Sequence, residues 1–221
     1  KNLNQSFNLD YPMNIINIGG ITNVSQIISD NDLEKDIFAY DIGPGNCLID
    51  EWIRKNSNKR YDKNGEIANS GRVDELIFNQ AIENFEIISI KESLDVKNFD
   101  LSFVKGLSLE NGCATLTKFT AFLISEGLKK IDKIHDLSNQ NYILCGGGRK
   151  NKGLINDINK FMSRDKVILA DIDKYQINGD FVESQAFAYL AIRTFLDLPI
   201  SFPNTTRCKK PCTGGVVIKN F

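Results

Sequence analysis

The sequence has very few of the residues on which several kinds of chemistry depend. Its one histidine, His135, stands in a polar stretch after a predicted helix, where an exposed loop residue is expected. Ser-His-Asp and Cys-His catalysis both need a histidine beside the nucleophile, so neither is predicted. The five cysteines are odd in number and widely spaced, which argues against a disulfide framework and indicates a reducing, cytoplasmic compartment.

Cys208 and Cys212 lie close together in the chain, as CKKPC. A tetrahedral zinc site needs two further ligands, and the sequence offers no second pair of Cys or His residues to supply them. The sequence therefore assigns no metal ligands.

A long apolar run and a strong net charge are also missing. No stretch approaches the ~18 apolar residues that a membrane span requires, and the segment KNLNQSFNLDYP has no signal-peptide core. The formal net charge is -1, so the chain has no basic field that would hold nucleic acid or anionic lipid. We expect neither a nucleic-acid partner nor a membrane partner.

What the sequence does contain is a series of apolar strands alternating with amphipathic helices. Strands are predicted at 14–18, 22–28, 36–41, 141–145 and 166–170, and helices from Leu48, over 112–133, from Leu154 and from Val182. The polar segment at about 57–105 is interpreted as an insertion rather than core. This order predicts an α/β fold with a mixed central sheet and helices on both faces.

Three glycine-rich turns each follow an apolar strand: Gly19-Gly20, DIGPGN (41–46) and CGGGRKN (145–151). None fits the P-loop pattern or the dinucleotide-binding pattern. Glycine lets the backbone approach a ligand closely, and exposed N–H groups at such turns bind phosphate oxygens. One such turn would most often serve packing, but three at the strand ends of one sheet predict a ligand cleft.

Two carboxylates lie beside these turns. Asp41 ends the third strand, where it is placed either as a general base or as a cap for the following helix. Glu183 opens the last helix, where acidic residues often serve only the helix dipole. Position alone leaves both alternatives open for each residue.

The glycine turns carry a resemblance to known proteins. NIGGITNVS (17–25) resembles the second phosphate-binding hairpin of the actin, heat-shock chaperone and sugar kinase superfamily, and ILCGGGRKN (143–151) resembles its adenosine-binding turn. The resemblance implies an actin-like (ribonuclease H-like) lobe that binds ATP. The nucleotide-binding residues that it implies are Gly19, Gly20, Thr22, Asn23, Gly146, Gly147, Gly148 and Asn151.

A narrower resemblance follows from YDIGPGNCLIDEW, which is similar to the YDTGPGN-x-L-x-D segment of anhydro-N-acetylmuramic acid kinases. YDKNGEIANSGRV, SLDVKNFD, NGDFVESQAFAYLA and LPISFPNTT follow in the family's order. The resemblance implies an enzyme that uses ATP and Mg²⁺ to open the 1,6-anhydro ring of the sugar with water and to phosphorylate O6. It implies Asp41 as the base, with Glu183, Gly43, Gly45 and Asn46 at the sugar site.

The resemblance covers one lobe of such a kinase. Segments of the GTSLDG, HGQT and GDFR…GGQGAP types, which mark the first lobe, are absent from these 221 residues. We therefore expect residues 1–221 to form the carboxyl-terminal lobe, which needs the missing first lobe for a complete site. A homodimer is left open as a further arrangement. Val96 stands where relatives often carry Arg, and Arg207 where they usually carry Gly.

A nucleotide-binding lobe without catalytic activity is the alternative. The absence of the first lobe favours it, whereas the presence of Asp41 and Glu183 favours the enzyme.

Overall fold

A computed structural model describes residues 11–29, 31–85, 92–134, 141–162 and 169–218. Within these residues the strands are β1 (Met13–Ile18), β2 (Ile21–Ile27), β3 (Ile37–Pro44), β4 (Asn141–Cys145) and β5 (Leu169–Asp171). The α-helices are α1 (Leu33–Asp36), α2 (Cys47–Asn56), α3 (Glu66–Ser70), α4 (Glu75–Asn84), α5 (Leu109–Ile134), α6 (Lys152–Met162), α7 (Val182–Phe195) and α8 (Pro203–Thr206). Short 3-10 helices cover Lys63–Gly65, Val96–Asn98, Ser102–Val104, Gly147–Lys150 and Ile172–Tyr175.

The strands form one mixed sheet in the order β3-β2-β1-β4-β5. β1, β2 and β3 are antiparallel neighbours, whereas β4 and β5 run parallel to β1. This confirms the predicted α/β class and the mixed central sheet. The predicted strand at 166–170 lies partly outside the described residues, and His135 lies outside them. No described helix has an apolar stretch long enough to cross a bilayer.

One face of the sheet packs on the two long helices α5 and α6. Alternate residues of β1 point to this face, because side chains in a strand alternate between its two sides. The buried cluster there joins the sheet to both helices through Ile16, Ile18, Val24, Ile42, Leu128, Ile131, Leu154 and Ile158. Apolar burial of this kind supplies about 25 cal/mol per Å² and holds the sheet in place beneath the site.

The opposite face has a smaller core. Met13, Ile27, Ile143, Cys145 and Ile172 are buried there, with Val182 of α7 packed against them. Beyond its first turn, α7 buries no residue. Large apolar side chains are exposed along and around it, namely Phe181, Phe187, Tyr189, Ile192 and Phe195.

The segment at about 57–105 differs from the prediction of a polar insertion outside the core. Ile67, Phe78, Phe99 and Val104 are buried in one cluster with residues of α2 and α5. Its helices are too short to show a clear apolar period in the sequence, so the shared core appears only once α2 and α5 are packed beside it.

Trp52 holds α2 to the start of α5. Its side chain is 3% exposed, and its Nε1 donates a hydrogen bond of 2.9 Å to the carbonyl of Leu109. A Cβ added at Gly112 would lie 2.4 Å from Trp52 Cε2, so glycine is needed for this close approach.

The Gly112→Ala substitution is therefore expected to lower the free energy of unfolding by about 1–3 kcal/mol, the usual cost of overpacking a core. Urea unfolding followed by fluorescence measures this directly, because Trp52 is the only tryptophan of the chain. Lys133→Ala, at an exposed position of the same helix, is the control and should change stability by less than about 0.5 kcal/mol. Equal stability of Gly112→Ala and Lys133→Ala would contradict the packing argument.

Candidate functional site

The hairpin turn, Gly19-Gly20, is bound to the start of α2. The N–H groups of Gly45 and Cys47 donate to the carbonyl of Gly20 at 2.8 and 3.2 Å, and the N–H of Asn46 donates to the carbonyl of Gly19 at 2.7 Å. These bonds join two of the three predicted glycine turns. A Cβ at Gly45 would lie 2.2 Å from the Gly19 oxygen, so this contact requires glycine.

The glycine turn that follows β4 (Gly146–Gly148, hereafter the second glycine turn) lies against the same hairpin. A Cβ at Gly146 would lie 2.3 Å from Asn17 Oδ1, and a Cβ at Gly148 would lie 2.2 Å from Ile18 Cγ2. Gly20 is exposed and a Cβ there would meet nothing within 4 Å, which leaves open space in front of the hairpin turn. The structure thus brings together the three turns that the sequence singled out.

A larger cavity of about 460 Å³ lies between α2, the insertion and the second glycine turn. It is lined by Asn46, Ile49, Asp50, Tyr61, Asp62, Lys63, Asn64, Gly147, Lys150 and Asn151. Its volume is that of a small-molecule site, and most of its lining side chains are polar. Sequence reasoning selected Asn46, Gly147 and Asn151 but missed the residues that the insertion and Asp50 contribute.

A second cavity of about 400 Å³ lies over the opposite face of the sheet. It is lined by Ile15, Asn17, Gly19, Asn23, Ser25, Cys145, Gly146, Gly147, Gly179, Asp180, Val182, Glu183 and Ala186. Gly147 lines both cavities, so the two meet at the second glycine turn. The predicted residues Gly19, Asn23 and Glu183 share the second cavity.

Asp41 lies beside the second cavity without lining it. It is paired across the sheet with Asn23, and directly paired residues point to the same face. The ladder is irregular here, because the register of β2 and β3 shifts between Thr22 and Asn23, and such irregularities often re-aim side chains next to active sites. Asp41 Oδ2 accepts a hydrogen bond of 2.9 Å from the N–H of Leu94.

That contact with Leu94 was missed from the sequence. Leu94 belongs to the segment SLDVKNFD, which resembles a family segment, and this was the one signal that could have found it. The bond fixes the orientation of the carboxylate that was assigned as the base.

Several predicted site residues have structural contacts of their own. The hydroxyl of Thr22 is fully buried and donates to the carbonyl of Pro44 at 3.0 Å, which pins β2 to β3. Gly43 packs against α5, where a Cβ added at Gly43 would lie 3.5 Å from Leu123 Cβ. Asn151 Oδ1 accepts from the N–H of Leu154 at 3.1 Å and so caps α6. Their contacts with nucleotide or sugar stay predictions.

An ion-pair cluster that sequence reasoning missed holds the second glycine turn to the loop before α7. The Arg149 side chain is 1% exposed, and its guanidinium bonds Asp171, Asp173 and Asp180 at 3.2, 2.9 and 2.7 Å. The same guanidinium donates to the carbonyl of Gly146 at 2.9 Å. Because Gly146 and Asp180 both line the second cavity, the Arg149 cluster sets the distance between two of its walls.

Cysteine chemistry finds no support among the described residues. Burial raises the pKa of the thiols of Cys47 and Cys113, and raises that of Cys145 to about 11, so these thiols stay protonated near neutral pH. The described residues also contain no group of three or more His, Cys, Asp or Glu side chains placed to hold a metal ion.

Comparison with known proteins decides the family. The model of the family "anhydro-N-acetylmuramic acid kinase" matches residues 7–220. The chain belongs to this family. A kinase of that name from Pelagibacter ubique is 48% identical over 215 residues, which cover 96% of this chain and 56% of the relative.

Further relatives of that name give the same proportions. The enzyme of Brucella canis is 35% identical over 98% of this chain and 56% of its own length, and that of Caulobacter vibrioides is 36% identical over 94% and 53%. The chain thus spans about half the length of the curated relatives it matches.

Two solved structures match part of the chain. The activator of the 2-hydroxyisocaproyl-CoA dehydratase from Clostridium difficile with bound ADPNP has a TM-score of 0.40 and 12% identity, over 74% of this chain and 55% of that one. Component A of the Acidaminococcus fermentans (R)-2-hydroxyglutaryl-CoA dehydratase has a TM-score of 0.42 and 14% identity, over 78% and 61%.

The two departures from the family pattern have different structural settings. Arg207 follows the last residue of α8 with φ 58°, in the left-handed region that favours glycine, so an arginine at this position strains the backbone. Val96 begins a 3-10 helix and is 42% exposed, two residues after Leu94, whose N–H holds Asp41.

The Arg149→Met substitution is expected to lower the free energy of unfolding at pH 7 by about 2–3 kcal/mol, somewhat less than for a fully buried pair because the three aspartates are partly exposed. A backbone hydrogen bond from Gly179 and the Arg149 guanidinium hold the pKa of Asp173 below its usual 3.8, and Lys150 and Arg149 do the same for Asp180. A depressed carboxyl pKa stabilises the fold above the unfolded value and ceases to do so as pH falls through the folded value. The difference between wild type and variant should therefore be complete at pH 7 and shrink below pH ~3.8.

Urea unfolding at several pH values checks this. Lys160→Met, which breaks the exposed pair with Asp157, is the control and should cost less than about 0.5 kcal/mol. A cost for Arg149→Met that matches the control at pH 7 would show that the cluster does not hold the turn.

Proposed function

We propose that this chain is the nucleotide- and sugar-binding half of an anhydro-N-acetylmuramic acid kinase. The complete enzyme would use ATP to phosphorylate O6 of the sugar while water opens the 1,6-anhydro ring, giving N-acetylmuramic acid 6-phosphate. The observation that carries the proposal is the junction of two cavities at Gly147, one beside the predicted adenosine turn and one beside Asn23 and Glu183.

Support for nucleotide binding comes from the glycine turns. The second glycine turn lies against Asn17 and Ile18, at the end of β1 that leads into the hairpin turn, and both turns line the second cavity. We propose that the nucleoside occupies the larger cavity and that its phosphates extend over the hairpin turn, where Gly20 leaves open space. Phosphoryl transfer would then take place where the two cavities meet.

Support for sugar binding comes from the second cavity. Glu183 is exposed at its wall, and Asp41 lies next to it on the same face of the sheet. We propose that Asp41 takes the proton from the water that attacks C1. The C1–O6 bond then breaks, and O6 attacks the γ-phosphorus, which leaves ADP. The N–H of Leu94 holds the carboxylate oriented for this step.

Mg²⁺ would neutralise charge on the transferring phosphoryl group, as in other kinases. Mg²⁺ usually binds through one or two carboxylates plus the phosphates of the substrate. We assign no ligand to it.

The remaining half of the enzyme is proposed to cover α7. Phe187, Tyr189 and Ile192 are each more than half exposed on this helix, and soluble proteins seldom leave such residues together in water. The relatives are about twice as long as this chain, so they supply a segment large enough to cover them. Because Glu183 and Ala186 of α7 line the second cavity, the same contact would shield the sugar from water.

The chain alone is expected to form little or no N-acetylmuramic acid 6-phosphate, whereas the complete kinase that contains it should be active. Alignment of reacting groups supplies as much as ~7–11 kcal/mol of barrier reduction. One half of the enzyme cannot align the phosphates with the sugar, because the other half is needed to hold them. Asp41→Asn in the complete kinase should lose ring opening and phosphorylation together, since the amide cannot take the proton of water. The measurement is ATP-dependent product formation by the chain alone, by the complete kinase and by its Asp41→Asn variant.

Asp36→Asn, an aspartate one residue before the same strand, is the control for general effects of removing a carboxylate. An active Asp41→Asn variant would leave Asp41 with a structural role. A complete kinase that binds ATP but turns over no sugar would favour the non-catalytic alternative.

A further inference from the structure

Asp50 is a carboxylate of the larger cavity that the proposed mechanism does not use. It lies in the first turn of α2, and its N–H donates to the carbonyl of Asn46 at 2.8 Å. Its side chain is half-buried and faces the cavity that Tyr61, Lys63 and Lys150 also line. Within the described ranges of the chain, its carboxylate oxygens have no hydrogen-bond donor.

This position is costly for a charge. The pKa of Asp50 is raised to about 6, mainly because burial desolvates the carboxylate; Arg54 opposes this rise and Asp62 adds to it. The neighbouring Asp62 is satisfied in a way that Asp50 is not. It accepts from the N–H groups of Ile67 and Ala68 at 2.8 and 3.0 Å, and so fixes α3. A desolvated carboxylate with no internal donor, at the wall of a cavity, is typical of a group that binds a ligand.

The ligand must bring hydrogen-bond donors. An ionised carboxylate only accepts hydrogen bonds, and the strongest neutral match is a pair of hydroxyl groups. A nucleotide carries such a pair in its ribose, and the base carries a separate donor in its amino group.

The place of Asp50 along α2 distinguishes ribose from base. Asn46, one helical turn before it, donates its N–H to Gly19 of the hairpin turn. One turn rises about 5.4 Å, so Asp50 lies close to the point where the phosphates are proposed to pass. The part of a nucleotide nearest to the phosphates is the ribose. Tyr61, which is 58% exposed on the insertion, offers a ring for the base farther out.

We propose that Asp50 accepts hydrogen bonds from the ribose hydroxyl groups of the nucleotide and makes the larger cavity selective for ribonucleotides. This inference rests on the proposed kinase function, because it needs a nucleoside in that cavity. It adds a residue that determines specificity for the nucleotide, which is the phosphate donor of the proposed reaction.

Two opposite effects of one substitution test the proposal. Asp50→Asn removes the charge at constant shape. A raised carboxyl pKa means that the fold loses stability as pH rises from the unfolded value near 3.8 to about 6. The variant should therefore unfold at higher urea than wild type at pH 7.5, and the gain should disappear near pH 4. Its affinity for ATP should nevertheless fall by about tenfold, since a hydrogen bond to a charged group is lost.

The ribose is identified by combining variants with analogues. Isothermal titration of the complete kinase with ATP, 2′-deoxy-ATP and 3′-deoxy-ATP should show each deoxy analogue binding wild type about tenfold more weakly than ATP. In Asp50→Ala, ATP should bind about 10- to 100-fold more weakly, and the deoxy analogues should lose little further affinity, because interacting groups are not additive. Glu51→Gln is the matched control, as Glu51 is the next residue and pairs with Lys55 at 2.5 Å. It should leave every affinity unchanged.

Each other outcome is decisive. If Asp50→Ala and wild type lose the same affinity on removal of a hydroxyl, Asp50 does not contact the ribose and the inference is wrong. Inosine triphosphate lacks the amino group of adenine. If Asp50→Ala weakens the binding of ATP but not that of inosine triphosphate, Asp50 binds the base and the ribose assignment is overturned. If wild type binds none of these nucleotides, the proposed kinase function fails with it.

Discussion

The candidate site depends on the three hydrogen bonds from Gly45, Asn46 and Cys47 to the carbonyls of Gly19 and Gly20. They fix the hairpin turn against the start of α2, so one wall of the larger cavity and the end of β3 move as one unit. They also occupy the N–H groups of Asn46 and Cys47 at the start of α2, which would otherwise be free to bind an anion. In the proposed nucleotide site, these two N–H groups are therefore not available to the phosphates, and the glycine turns would make the contacts.

Much of the fold could be predicted because it is encoded locally. The apolar periods of β1, β4, α5 and α6 are regular, and the glycine turns follow the strands as the sequence indicated. Contacts between distant residues could not be read in this way. The bond between Asp41 and Leu94 joins residues 53 positions apart, and the partners of Arg149 become acidic neighbours only after β5 is placed beside β4.

Residue type alone also could not separate ligand contacts from structural contacts. Thr22 and Asn23 stand side by side after the same turn, but the first is buried against Pro44 and the second faces a cavity, because successive side chains of a strand point to opposite faces. Gly45 likewise reads as a loop residue at a ligand site, whereas its missing Cβ makes room for the carbonyl of Gly19. The structure brings the residues of the motif together, and the contact that each of them makes depends on the register of the sheet.

The insertion and the sheet form a single site. The insertion supplies Tyr61 and Lys63 to the larger cavity and the N–H of Leu94 to Asp41, while its own core is shared with α2 and α5. A shift of the insertion would therefore change the wall of the larger cavity and the orientation of the Asp41 carboxylate together. Glu183 and the exposed apolar residues of α7 lie on one helix at the other side of the sheet. A partner segment that buries α7 would therefore also exclude water from the second cavity, where the sugar is proposed to bind. Excluding water strengthens every electrostatic interaction in the site. In the proposed kinase, the arrangement would couple the assembly of the two halves to the conditions that phosphoryl transfer requires.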